Sequence, residues 1–318
     1  MPNGMRNMQK PRITVPGVNP GIDRTMYFDN PLARGDVNRA CRVVQHGGCK
    51  SGNAATVLAR LGAKVNYVTY TGGELAALYE SYYTGEPMTL TPIQTAAGVR
   101  MNVKLSDGEG VFTECNQSGG PVSEKECAAM MSALEKADFD CLYLAGSIPR
   151  GMPADFYATC VKMARKKGAY TVVDAEGAVL KAALEAAPDL VKPNRAEFEK
   201  LIPQGNTISE KIALFREKYP QTVLLLSLGG DGAVLSDKEN LSKVNALPVC
   251  VKGTVAAGDT FLSAFTVATL RGDSFADALK KATAAAAAKV ALEGTALPSK
   301  EQMQERVKEV IVTEFQDK

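Results

Sequence analysis

Cys141-Leu142-Tyr143-Leu144-Ala145 is a run of five residues with no polar position to turn toward water. Three more runs follow: Tyr170-Thr171-Val172-Val173, Asp189-Leu190-Val191 and Thr222-Val223-Leu224-Leu225-Leu226. A strand with one wet face alternates apolar and polar residues, whereas a strand covered on both faces reads as a continuous apolar run. Between the runs, Ala154 to Lys167 and Ala175 to Ala187 carry apolar residues at helical spacing. Buried strands alternating with helices predict an α/β chain with a mainly parallel sheet and helices on both faces. Working outward, Ile13 to Pro16 and Lys64 to Tyr70 read as further core strands, with a helix over Asn53 to Leu61 between them. The C-terminal third reads as helices over Asp259 to Arg271, Phe275 to Leu292 and Lys300 to Phe315.

Two stretches depart from this pattern. Thr25 to Val43 and Met88 to Glu114 alternate, as in Val99-Arg100-Met101-Asn102-Val103-Lys104-Leu105, and break at Asp107-Gly108. Alternation with a D-G turn predicts antiparallel strands with one exposed face. The two stretches are expected to pair into a small sheet spanning 25–43 and 87–118, beside a core formed by 12–24, 44–86 and 119–318.

Composition narrows the function classes. In 318 residues, 45% are hydrophobic and 23% charged, enough to build a full core. The 37 Lys and Arg against 35 Asp and Glu leave a charge of +2, so no basic field draws nucleic acid or an acidic membrane. No run approaches the ~20 apolar residues of a membrane span; Ala282 to Ala288 is short and closed by Lys289. Met1 to Pro11 is polar and does not read as a signal peptide, so the cytoplasm is expected. The single histidine, His46, excludes a multi-histidine metal site or relay. Seven cysteines, an odd number without C-x-x-C spacing, fit reduced thiols rather than a disulfide framework or zinc ribbon.

Five segments could carry chemistry, each with a purely structural alternative. Gly253-Thr254-Val255-Ala256-Ala257-Gly258-Asp259-Thr260-Phe261 places small residues at a helix start, where backbone N–H groups meet an anion. Asp259 there could take a proton from a hydroxyl, or simply cap the helix. In Val191-Lys192-Pro193-Asn194-Arg195-Ala196-Glu197, the N-x-x-E spacing is a capping box, or Glu197 holds Mg²⁺ near a triphosphate. Leu226-Ser227-Leu228-Gly229-Gly230-Asp231-Gly232-Ala233 is a strand-turn-strand hairpin, or glycines admitting a ligand to the backbone. His46-Gly47-Gly48-Cys49-Lys50-Ser51-Gly52-Asn53 is not a P-loop, because Cys49 precedes Lys50 and Val44 stands at the earlier glycine position. It presents Lys50 and Asn53, or opens a helix with a solvated lysine. In Asn19-Pro20-Gly21-Ile22-Asp23-Arg24-Thr25, Asp23 accepts hydrogen bonds from sugar hydroxyls or supports a turn. No G-x-G-x-x-G followed by an acidic residue is present.

As an ordered set these segments resemble the PfkB (ribokinase-like) carbohydrate kinases, over Ile13 to Leu297. The motifs are N-P-G-I-D-R-T at Asn19 to Thr25, G-x-K-x-x-N at Gly48 to Asn53 and V-R-M-N-V-K at Val99 to Lys104. They continue with A-G-S-I-P-R-G at Ala145 to Gly151, V-K-P-N-R-A-E at Val191 to Glu197, S-L-G-G-D-G at Ser227 to Gly232 and A-A-G-D-T-F at Ala256 to Phe261. The pattern is most similar to the hexose-phosphate branch, which contains 1-phosphofructokinase and tagatose-6-phosphate kinase.

The resemblance implies a ribokinase-like three-layer α/β/α domain with a β-sheet lid. It implies ATP-dependent, Mg²⁺-requiring phosphorylation of fructose 1-phosphate or tagatose 6-phosphate to the bisphosphate. The alternatives are a kinase for an unphosphorylated sugar or nucleoside, and a low-turnover sugar-phosphate binder. Asp259 would be the base, with Ala257 and Gly258 amides as the anion hole. Lys192, Ser227, Gly229, Gly230, Asp231 and Gly232 would face the nucleotide, and Asn194 and Glu197 would organise the metal. Asp23, Gly48, Lys50, Asn53 and Arg100 would hold the sugar phosphate, with Arg150 a further candidate. A homodimer through the lid is also implied. The chain departs from the family's G-G-K-G-x-N at Cys49 and Ser51, has Ala256 at the first glycine of G-A-G-D, and continues Gly72-Gly73 with Glu74-Leu75-Ala76-Ala77 instead of D-x-x-G.

Overall fold

The computed structural model describes residues 8–109 and 111–315. The chain enters as β1 (Arg12–Gly17), β2 (Gly21–Tyr27), β3 (Arg42–Gly48), α1 (Lys50–Arg60), β4 (Lys64–Thr71), α2 (Ala76–Ser81) and β5 (Met88–Gln94). Next come β6 (Arg100–Ser106), β7 (Phe112–Asn116) and α3 (Glu124–Lys136). Strand and helix then alternate through β8 (Cys141–Ala145), α4 (Phe156–Lys166), β9 (Tyr170–Asp174), α5 (Gly177–Glu185) and β10 (Leu190–Val191). After α6 (Arg195–Leu201) and α7 (Ile208–Lys218), β11 (Val223–Ser227) turns into β12 (Ala233–Ser236) and β13 (Leu241–Val244). The last elements are α8 (Ala257–Leu270), α9 (Phe275–Val290), α10 (Lys300–Glu305) and β14 (Val312–Glu314).

The large sheet runs β14-β13-β12-β11-β10-β9-β8-β1-β4-β5. It is parallel from β5 to β11 and antiparallel from β11 to β14. Each apolar run feeds two cores, which is why none alternates. Tyr143, Val172 and Leu225 point into the core under α1, α8 and α9, with Leu58, Phe265 and Leu279. Their neighbours Leu142, Leu144, Val173, Leu224 and Leu226 point into the core on the other face, with Met130, Val161, Phe198 and Phe215. Full burial of one such side chain is worth roughly 1.5–3 kcal/mol, so a polar residue at any of these positions damages one layer whichever way it points.

The small sheet runs β3-β2-β6-β7, with β2·β3 and β6·β7 antiparallel and β2·β6 parallel. Three sequence boundaries shift. β2 and β3 run as unbroken strands of the small sheet across the expected cuts at 24/25 and 43/44. β5, expected in the lid, instead pairs in parallel with β4 at the edge of the large sheet. Its exposed residues fall on both faces, and Met88 and Leu90 pack against one core while Ile93 packs against the other; alternation in the sequence does not say which sheet a strand joins. The helix expected over Lys300 to Phe315 ends at Glu305, and Val312–Glu314 pairs with β13. The branched run Val310-Ile311-Val312-Thr313 favours extended backbone over helix. Met1 to Asn7 of the N-terminal stretch lie outside the described residues, among which no helix is long and apolar enough to cross a membrane.

Candidate functional site

A cleft of about 1180 Å³ opens between the small sheet and the carboxyl ends of the core strands, where open α/β sheets bind ligands. Among the site residues expected from sequence, all line it except Gly48, Arg150 and Asp231. Gly48 acts from behind: a Cβ there would sit 2.6 Å from the Asp23 carboxylate, so the glycine leaves room for Asp23.

The floor is the N-terminus of α8. Ala256, with φ of 64°, is the helix cap and makes no side-chain cap bond. The Ala257 amide donates to the Thr254 carbonyl at 3.2 Å, while the Gly258 and Asp259 amides find no backbone acceptor among the described residues. Of the two amides expected to face an anion, at Ala257 and Gly258, the turn before the helix thus uses the one at Ala257. Asp259 does not cap its helix. Its carboxylate accepts from Asn53 Nδ2 at 2.8 Å, and burial, then the nearby Asp174 charge, push its pKa up to about 6 against the pull of Lys50, Asn53 and Lys192. Such a carboxylate is tuned for proton transfer near neutrality. Asn53 Oδ1 is buried without a partner beside it, an acceptor facing the same cleft.

Asp174 was not singled out from sequence. It ends β9, fully buried, and receives Lys50 Nζ at 2.9 Å and Lys192 Nζ at 3.3 Å. Burial opposes its charge, but Lys192 and Lys50 outweigh burial and hold the carboxyl below the ordinary range. Burial likewise opposes the Lys50 ammonium, and Asp174 with Asp259 raises its pKa nonetheless. Lys50 is thus an anchored cation rather than a solvated one. Lys192 Nζ also lies 3.4 Å from where a Gly258 side chain would begin, at the free amides. The available signal for Asp174 was a lone acid at the end of a core strand, which resembles any strand terminus.

At the lid end, Asp23 is buried and accepts from Asn102 Nδ2 at 2.9 Å and Lys104 Nζ at 2.7 Å. Asn102, Lys104, Glu114 and Asn116 line the same wall, and Asn102 Oδ1 is buried without a partner. Alternation on β6 showed which residues share a face but not that this face roofs a cleft. Arg100 donates through Nη1 to the Gln117 carbonyl at 2.8 Å and keeps Nε without a partner. Arg150 is exposed and not among the lining residues.

At the opposite end, Gly229 and Gly230 leave open space where side chains would begin. Gly232 is demanded by packing, since with φ of 90° its Cβ would meet the Val244 carbonyl at 1.9 Å. The hairpin expected here is present as β11–β12. Asp231 turns to the surface and pairs with Arg195 at 3.1 Å. Leu247, Pro248, Val249 and Val251, unremarkable in sequence, form an apolar wall nearby. The Asn194–Glu197 capping box closes both ways at 2.9 Å; Glu197 spends Oε2 on it, and both residues border the cleft.

A profile of the pfkB family carbohydrate kinases matches residues 19–302. The chain is 29% identical over 288 residues to 1-phosphofructokinase of Haloferax volcanii, covering 89% of this chain and 92% of the relative. It is 30% identical over 301 residues to 1-phosphofructokinase of Rhodobacter capsulatus, covering 92% and 94%. Phosphofructokinase-2 from Escherichia coli, in complex with substrates and products, superposes with a TM-score of 0.87 at 23% identity, covering 94% of this chain and 99% of that one; this likeness shows the ribokinase-like fold. Matched along most of its length, the chain belongs to the pfkB family of carbohydrate kinases.

Proposed function

We propose that the chain transfers the γ-phosphoryl group of ATP to a hydroxyl of a hexose phosphate, as a 1-phosphofructokinase-type enzyme. The observation that carries the reading is Asp259: a buried carboxylate, tuned to about 6, beside two amides without backbone partners at the start of α8. Asp259 takes the proton as the hydroxyl oxygen bonds to phosphorus. The Gly258 and Asp259 amides, with Lys192, meet the negative charge of the phosphoryl group in transit. The bond to ADP then breaks, and the phosphate ester keeps the hydroxyl oxygen.

Asn53 Oδ1 and Asn102 Oδ1, two buried acceptors on the cleft wall, suit a polyol that donates hydroxyl hydrogens. The open faces of Gly229 and Gly230 suit a polyphosphate, and the apolar wall at Leu247 to Val251 suits a nucleobase. For Mg²⁺, the donor set fits a single carboxylate plus phosphate and water oxygens; Glu197 would hold it through Oε1 with Asn194 beside it, and the metal would neutralise phosphate charge. The cytoplasm, where thiols stay reduced, suits the seven free cysteines. We extend the reading to a homodimer through the lid, whose outer face carries Met26, Val43, Val103 and Leu105 in one cross-strand patch.

One observation favours a kinase for an unphosphorylated sugar: Lys50 is paired with Asp174 and Lys104 with Asp23. The substrate phosphate then falls chiefly to Arg100, whose Nε lacks a partner. Coupled assays with Mg-ATP against fructose 1-phosphate, tagatose 6-phosphate, fructose, ribose and adenosine decide between them. A charge-assisted contact worth roughly 1.5–3 kcal/mol predicts about 10- to 150-fold higher kcat/KM for a phosphorylated sugar. Preference for a neutral sugar or nucleoside overturns the hexose-phosphate reading.

A further inference from the structure

Lys289 is one of the largest fully buried side chains in the molecule, at 0% exposure in the last turn of α9. Among the described residues it has no carboxylate within ion-pair distance. Its ammonium instead donates to two backbone carbonyls, Gly294 at 3.1 Å and Gly253 at 3.5 Å. A buried cation without a counter-ion is costly. Burial, then Lys104, lower its pKa to about 8, with Asp259 pulling the other way. An apolar side chain would pack there more cheaply, so the charge calls for a reason outside stability.

Its two acceptors supply one. Gly253 opens the turn that delivers the chain into α8, five positions ahead of Gly258. That segment is already held on its other side, where the Lys252 and Gly253 amides donate to the Val290 carbonyl at 2.9 and 3.3 Å. Gly253 is wedged so closely that a Cβ would lie 3.0 Å from the carbonyls of Leu292 and Gly294. Gly294 in turn faces the lid: a side chain there would begin 3.4 Å from the Tyr27 hydroxyl and 3.6 Å from Thr25 Oγ1. Next to it, Glu293 pairs with Arg42 of β3 at 2.8 Å. The ammonium therefore bridges a turn that the lid touches and the turn that sets the register of the Gly258 and Asp259 amides.

We propose that Lys289 is a positioning residue for phosphoryl transfer, its buried ammonium bracing the Gly253–Ala256 turn against the Gly294 turn so that the α8 N-terminus keeps its reactive geometry when the lid is seated. The proposal rests on the reading of Asp259 and its neighbouring amides as the transfer site. Misplacement by about 1 Å costs on the order of 100-fold in rate, so Lys289→Met is expected to lose about 10- to 100-fold in kcat with little change in KM for the sugar. Because Met removes an unpaired buried charge, its melting temperature should stay level or rise, which a merely structural lysine would not permit. Lys289→Ala should recover part of its rate with added ammonium or methylammonium, and none with tetramethylammonium, which cannot donate. Hydrogen exchange of peptides covering 251–261 should quicken in both variants. That readout needs no substrate, so it stands even if the hexose-phosphate reading fails. Wild-type exchange in both variants, or loss of rate and melting temperature together with no response to ammonium, overturns the proposal.

Discussion

Helices α6 and α8 of this enzyme both carry an acid at the third helical position, and they use it in opposite ways. In α6, Asn194 caps, Glu197 returns to the Asn194 amide, and the box closes at 2.9 Å in both directions. In α8, the cap is Ala256 in left-handed backbone and carries no side-chain acceptor, so Asp259 is left without a box to complete. Its carboxylate is drawn sideways to Asn53, and the amides that a capping side chain would have covered stay open. A closed box satisfies its donors and stabilises the helix by about 1 kcal/mol. An open terminus forgoes that stabilisation and keeps donors and carboxylate available for a ligand. The difference lies in one residue, Asn against Ala at the cap.

The largest break in this comparison is Asp259→Asn. A general base contributes about 10²–10⁴-fold, so kcat should fall by that much with a smaller change in ATP affinity. The sign of the stability change is opposite. Because the folded-state pKa is raised to about 6, wild-type stability from this group is full below the unfolded value near 4 and declines as pH rises through 6. The Asn variant should therefore be more stable than wild type at pH 7, by roughly 3 kcal/mol, with the gain vanishing below about pH 4. Thermal melts across that range, run beside the kinetics, check both halves; near wild-type turnover would reduce Asp259 to a packing role.

A smaller effect is expected at the partner that draws Asp259 aside. Asn53 stabilises the charged carboxylate, so Asn53→Ala should move the acid limb of the kcat/KM–pH profile upward from about 6. At pH 7 the loss should be about 10-fold, the scale of one hydrogen bond to a charged group. An unmoved limb would mean that Asn53 serves the substrate alone.

The smallest is Glu197→Gln. Glutamine can complete the capping box, so the melting temperature should hold while the Mg²⁺ concentration for half-maximal rate rises several-fold. If the melting temperature drops and the Mg²⁺ response does not move, α6 is a closed box and nothing more.

Much of this contrast could be read from the chain before folding. The unbroken run at Cys141 to Ala145 and its three successors required cover on both faces, and the two cores meet that requirement. The capping box at Asn194 and Glu197 was legible because both partners are local. The parts that could not be read involve partners far apart in sequence. Whether Lys50 is presented to a ligand or solvated stayed open in the sequence, and neither reading included Asp174, which β9 brings to within 2.9 Å from 124 positions away. Asp231 sat in a glycine motif, yet the short turn at Gly229–Asp231 aims it outward at Arg195. β5 read like a lid strand, yet it joins the edge of the large sheet and touches the cores on both of its faces.

Local sequence was enough for the layered α/β architecture, the α6 capping box and the presence of an acid near the start of α8, because periodicity and capping chemistry act over a few residues. Which charges are free depended on the packed fold. Asp259 is raised and Asp174 lowered because burial penalises both carboxylates alike, while two lysines from separate elements converge on Asp174 and an amide answers Asp259. Coulomb forces in a buried site depend on distances of a few ångström, and the chain order does not contain those distances.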